Sequence, residues 1–132
     1  MKNKLFSLTL FFVILFSLSS SLFGQVRNLY NVRTPMRDGV ELSSDIWLPE
    51  KPGRYPAILL RTPYIKTEWI QKHDEFGKFF AEHGYVFIVQ DVRGRGDSDG
   101  EFNFLFQEGK DGYDAIEWFA KQVSLYFYNH RE

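Results

Sequence analysis

The stretch from Tyr85 to Gly100 constrains this chain more than any other. It opens with Tyr-Val-Phe-Ile-Val, a short run of aromatic and β-branched residues. A run of that length, bounded by turn signals, reads as a strand buried on both faces. It then breaks into a loop carrying Gly94, Gly96 and Gly100 among Arg93, Arg95, Asp97 and Asp99. Open α/β sheets place their sites where a buried strand meets such a loop at its C-terminal end.

The flanking segments predict what surrounds this strand. Leu29 to Pro35 is extended in character, and Arg37-Asp38-Gly39 supplies a turn in which glycine tolerates a positive φ. Val40 to Leu48 alternates: Val40, Leu42, Ile46 and Leu48 share one face with Ser44, and Glu41, Ser43 and Asp45 share the other with Trp47. That period predicts a strand with one wet face. Ala57 to Leu60 is a second buried run, stopped by Pro63. A helix is predicted over Trp69–His83, with Trp69, His73, Phe76 and Phe80 as its apolar stripe, Thr67 as N-cap and Gly84 just past its end. A second helix is predicted from Glu108 to Gln122, with Tyr113, Ile116 and Ala120 on its stripe. The order is an antiparallel hairpin followed by strand, helix, strand, helix, which implies an α/β fold with parallel crossovers. Residues 85–89 should sit centrally with one edge unpaired, and Val123–Tyr128 could serve there as a makeshift strand.

Composition narrows the function classes. A chain of 132 residues suits one domain, and a formal net charge of −1 gives no bias toward nucleic acid. The absence of cysteine excludes disulfides, thiolate catalysis and cysteine zinc sites. Lys2 and Lys4, the apolar run Leu5–Leu18 and the small residues around Ser21 and Gly24 have the layout of a secretory signal peptide. The competing reading is an uncleaved anchor, since Leu5–Phe23 nearly reaches the roughly 20 residues that span a bilayer. The flanking pattern favours a signal peptide over residues 1–24, hence a secreted or periplasmic product with no membrane attachment after cleavage.

Several local patterns fall short of a site. Gly94-x-Gly96-x-x-x-Gly100 departs from a dinucleotide fingerprint: the third glycine is one residue late, and Asp97 and Asp99 would repel a pyrophosphate. Asp97-x-Asp99-Gly100 departs from a calcium loop in the place of its glycine and the lack of a closing Glu. No serine stands in a Gly-x-Ser-x-Gly context. Ser98 is expected to satisfy loop backbone, and His73, His83 and His130 have no catalytic context. No cofactor or metal is expected.

Four segments together carry a resemblance: Arg33 to Leu42, Pro56 to Tyr64, Gln90 to Gly100, and Glu108 to Trp118. In this order and at these spacings they resemble the N-terminal part of the X-Pro dipeptidyl-peptidase-like hydrolases, a group that includes cocaine esterase and the α-amino acid ester hydrolases. The resemblance covers about residues 32–122. It implies an α/β-hydrolase fold and a Ser-Asp-His triad that cleaves esters or amides of small-molecule or peptide substrates. It also implies that Tyr64, in Arg61-Thr62-Pro63-Tyr64, points its hydroxyl into the oxyanion hole. A phenol fixed at a strand end suits that role, because it can donate to charge that develops only in the tetrahedral intermediate. Asp91 and Arg93 would hold the loop as scaffold.

Beyond the second helix the sequence departs from that family. The nucleophile elbow, the second oxyanion donor, and the triad Asp and His have no counterpart in Val123–Glu132. The expectation is a partial α/β-hydrolase sheet truncated before the nucleophile elbow: residues 1–24 a signal peptide, 25–122 the N-terminal part of the catalytic domain, 123–132 a divergent tail. Such a chain would be inactive alone. The alternative is a non-catalytic secreted binding or interaction module that retains half of the fold.

Overall fold

The structure is a computed structural model and describes residues 26–68 and 72–128. The expected signal segment, and residues 69–71 of the first expected helix, lie outside the described residues. Four strands form one sheet: β1 (Arg27–Pro35), β2 (Glu41–Leu48), β3 (Ala57–Thr62) and β4 (Val86–Asp91). Helix α1 (His73–Glu82) precedes β4, and a short 3₁₀ turn (Phe104–Gln107) leads into α2 (Glu108–Tyr128). The strand order is β1-β2-β4-β3, with β1, β2 and β4 antiparallel in turn and β3 parallel to β4. A hairpin followed by a parallel β-α-β unit is the expected architecture.

The hairpin turns where the sequence says it should. Gly39 has φ +85, and the turn closes through Gly39 N–H to the Met36 carbonyl at 3.0 Å and Met36 N–H to the Val40 carbonyl at 2.8 Å. β1 carries a bulge between Leu29 and Val32, where Asn31 takes φ +55 and its N–H donates to Asp45 Oδ1 at 2.9 Å.

β4 is buried along its whole length, as its sequence requires, but both its edges are paired. β2 lies on one side, with Ile46 opposite Ile88, and β3 on the other, with Leu59 beside Ile88. This corrects the expected topology. The hairpin strand β2 inserts beside β4, so the outer position falls to β3, whose burial is only partial. β2 is likewise not wet on one face, because Ser43 to Leu48 are all buried. Leu42, Ile46, Val86 and Ile88 pack with Ala115 and Phe119 of α2, whereas Trp47, Phe87 and Val89 pack with Ala81 of α1. Each face of the sheet therefore has its own helix.

The helices are found, but their predicted faces only in part: His73 and Phe80 of the expected α1 stripe pack inward, and Phe76 does not. α1 buries His73, Gly77 and Ala81 and leaves Phe76 and Phe79 about half exposed. A Cβ on Gly77 would fall inside the Trp47 indole, so the helix approaches the sheet through a glycine and the bulk comes from the strand. α2 buries Asp111, Ala115 and Phe119, while Tyr113 and Ile116 face outward. Thr67 does not cap α1: the N-cap is Lys72, left-handed at φ +51 and without a side-chain cap. The C-terminal stop is as predicted. Gly84 has φ +81, its N–H bonds the Ala81 carbonyl at 3.1 Å, and Tyr85 N–H bonds the Phe80 carbonyl at 3.0 Å. That pair of bonds is a Schellman motif. Val123–Tyr128 is not a strand; α2 continues through it.

Candidate functional site at the strand ends

The C-terminal ends of β3 and β4 lie side by side, with Thr62 paired to Asp91 and Val92 N–H donating to the Thr62 carbonyl at 3.0 Å. Two loops leave from this point. The first carries Pro63, Tyr64 and Lys66; the second runs from Val92 to Gly100.

The second loop is scaffold. Ser98 Oγ donates to the Asp91 carbonyl at 2.7 Å and accepts the Ser43 N–H at 2.8 Å, as expected for a serine that satisfies backbone. The Asp91 carboxylate is fully buried and accepts the N–H groups of Lys66 at 2.6 Å and Asp97 at 3.1 Å. Gly96 has φ +53, and a Cβ there would collide with the same carboxylate, so this corner admits only glycine. Arg93 makes a bidentate pair with Asp111 at 2.9 and 2.7 Å, and reaches Asp38 at 2.8 and 3.2 Å. One guanidinium thereby joins the hairpin turn, this loop and the start of α2. Its hydrogen bonds to Asp111 and Asp38 raise its pKa above the ordinary arginine value against the opposing effect of burial.

The first loop presents Tyr64. Its backbone N–H donates to Thr62 Oγ1 at 3.1 Å. The residue is 66% exposed, and among the described residues its phenol makes no hydrogen bond. It stands at a cavity of about 310 Å³ walled by Phe102, Phe104 and Arg95 and by the Arg61–Glu108 pair. Arg95 Nε is held by the Pro63 carbonyl at 2.9 Å, and its guanidinium lies 5.2 Å from the centre of the Phe102 ring. Arg61 Nη2 is 3.3 Å from Glu108 Oε2, and Nη1 donates to the Glu108 carbonyl at 3.2 Å. Burial pushes the Arg61 pKa down and the Glu108 pKa up, and each partner's charge partly offsets the other's shift.

The sequence singled out Tyr64 but missed Lys66. That lysine is buried, and its ammonium hydrogen-bonds Asp97 Oδ2 and Asn31 Oδ1 (the latter at 2.9 Å), with Asp45 and Asp91 each at 3.7 Å. Burial pushes the Asp45 pKa up, while the Lys66 hydrogen bond pulls that of Asp97 down. The acids come from β2, β4 and the second loop, so no local spacing announces the cluster. Between Tyr64 and Lys66, Ile65 takes φ +67, a conformation that costs a β-branched residue on the order of 1–3 kcal/mol. His73, without a catalytic context in the sequence, is buried with Nδ1 2.8 Å from the Lys66 carbonyl. Among the described residues no group of three or more His, Asp or Glu is arranged to hold a metal ion.

A mixed sheet covered by a helix on each face, with a polar loop system at the ends of its parallel strands, defines part of an α/β-hydrolase-type fold. Solved structures agree. An α-amino acid ester hydrolase superposes with a TM-score of 0.62 at 28% identity, over 80% of this chain and 20% of that one. A CocE/NonD family hydrolase from Staphylococcus aureus gives 0.62 at 24% identity, over 73% and 20%, a likeness of fold. The chain belongs to the X-Pro dipeptidyl-peptidase (S15) family, whose sequence pattern matches residues 38–126. It is 36% identical over 96 residues to the cocaine esterase of Rhodococcus sp. (strain MB1 Bresler), covering 70% of this chain and 17% of that enzyme. The chain thus aligns with part of each of these hydrolases and spans about a fifth or less of their length.

Proposed function

We propose that this chain is the N-terminal portion of an exported serine hydrolase acting on ester or amide bonds, and that Tyr64 is its oxyanion-hole donor. The observation that carries the reading is the phenol of Tyr64: exposed, without a hydrogen bond among the described residues, and placed at a cavity at the end of a parallel strand. A donor with no ground-state partner is available to charge that appears only in the transition state. The nucleophile and its base would come from sequence that these 132 residues do not contain. Ser98 is no substitute, since both its hydrogen bonds are committed to backbone. The chain by itself is therefore inactive, because an oxyanion donor without an attacking group and its base accelerates little.

The test is a graft. Residues 26–122 replace the matching segment of the Rhodococcus cocaine esterase, and the graft is compared with its Tyr64→Phe variant. The expected result is a fall in kcat of about 10²–10³ with KM little changed, as when one oxyanion donor is removed. An unchanged kcat removes Tyr64 from the mechanism. The ungrafted chain should give no turnover of a p-nitrophenyl ester; turnover that survives a serine-reactive probe would overturn its assignment as inactive.

A further inference from the structure

Tyr64 stands on a five-residue arch with an anchor at each foot. At the first foot, the Thr62 carbonyl accepts from Val92 and Thr62 Oγ1 accepts the Tyr64 N–H. At the second, Lys66 is fixed three ways. Its N–H donates to Asp91 Oδ1 at 2.6 Å, its carbonyl lies 2.8 Å from His73 Nδ1, and its ammonium sits among Asn31, Asp45, Asp91 and Asp97. The side chain of Lys66 is 1% exposed. A lysine is buried that deeply only when its charge is met, and removing one partner of such a cluster strands the rest.

Between the feet, Ile65 holds φ +67. A β-branched residue leaves that region unless its neighbours over-determine it. Released at residue 66, the arch would relax toward negative φ and carry Tyr64 off the end of β3. We propose that Lys66 is a positioning residue for Tyr64: its buried ammonium locks the strained arch that aims the phenol at the strand-end cavity. The acids that hold it come from β2, β4 and the following loop, so the aim of Tyr64 is referenced to the sheet itself. The inference rests on the oxyanion reading of Tyr64 for its purpose, but not for its geometry.

The experiment uses the full chain with 3,5-difluorotyrosine placed at position 64 and follows its ¹⁹F resonance, together with amide exchange at residues 64–66. The parent should give one sharp line. Lys66→Met, which keeps length and removes charge, should split or broaden that line and speed exchange at the Lys66 amide about tenfold or more. Asp97→Asn removes a half-exposed partner of Lys66 and should shift the line the same way by less; it carries the test if Lys66→Met does not fold. Arg37→Ala, which breaks a distant surface pair, should leave the line unmoved and so separates aiming from general stability. An unmoved line in folded Lys66→Met, or in Asp97→Asn when that variant alone folds, overturns the proposal. So does failure of both to fold, which would make the cluster a folding determinant only. A moved line beside an unchanged kcat in the Tyr64→Phe graft would keep the lock and discard the oxyanion reading; the opposite pair of results would do the reverse.

Discussion

Replacing Gly77 by alanine sets two effects against each other, and the structure decides between them. Gly77 lies mid-way along α1, where helix propensity alone favours alanine by about 1 kcal/mol. The added Cβ, however, would land on Cγ and Cδ2 of Trp47, at the root of the indole. Trp47 cannot swing aside freely. It is 2% exposed, its Nε1 donates to Asp74 at 3.2 Å, and its ring packs against Phe87 at 6.0 Å and Tyr30 at 6.4 Å. Overpacking a site of this kind costs roughly 1–3 kcal/mol. Losing the indole hydrogen bond adds about 1 kcal/mol. The steric side wins, with a net loss of about 1–3 kcal/mol after the propensity gain. Urea unfolding measures it as a lower midpoint at constant m. Gly109→Ala is the control, because a Cβ there meets nothing within 4 Å and the midpoint should rise. If Gly77→Ala raised the midpoint as Gly109→Ala does, the close approach of α1 to Trp47 would be wrong.

Three further outcomes are expected. Asp111→Ala should destabilise the fold by about 2–4 kcal/mol, somewhat below the cost of stranding a wholly unpaired buried charge, because Arg93 keeps Asp38; denaturant unfolding of Asp111→Ala, Arg93→Met and the double variant reads the coupling. The side-chain and backbone hydrogen bonds of Arg37 hold the Asp114 carboxyl at about 2, below its ordinary 3.8, so this pair supports the fold above pH 3.8 and loses that support as pH falls through about 2. Wild type should therefore lose more stability than Asp114→Asn over that window, and the difference should shrink in salt because Arg37 is half exposed. On export, N-terminal sequencing should find the mature chain starting after Ser21 or Gly24; a secreted product that still begins at Met1 would contradict the signal-peptide reading.

Much of this protein is written locally. The apolar run at residues 85–89 makes β4 a buried strand, Gly39 places the hairpin turn, and Gly84 ends α1, because each depends on a few adjacent residues and their allowed φ. The four-segment resemblance likewise places Tyr64 at a strand end. Other features were decided by tertiary structure. Which strand lies outermost is a choice among long-range pairings, and β2 takes the place beside β4 that periodicity left open. The helix faces are only partly legible for a related reason. His73 and Phe80 turn inward as their spacing suggests, but Phe76, Phe79, Tyr113 and Ile116 also look like core on a helical wheel, yet Gly77, Ala81 and Ala115 are what allow close approach to a sheet already filled by Trp47, Phe87 and Ile88. The Lys66 cluster is the extreme case. Its hydrogen-bond partners Asn31 and Asp97 lie 35 and 31 residues from Lys66 on opposite sides of it in the sequence, and only the sheet brings four such side chains around one ammonium. Sequence carries the conformational preferences of single residues and short runs, whereas the meeting of distant charges exists only once the strands have paired.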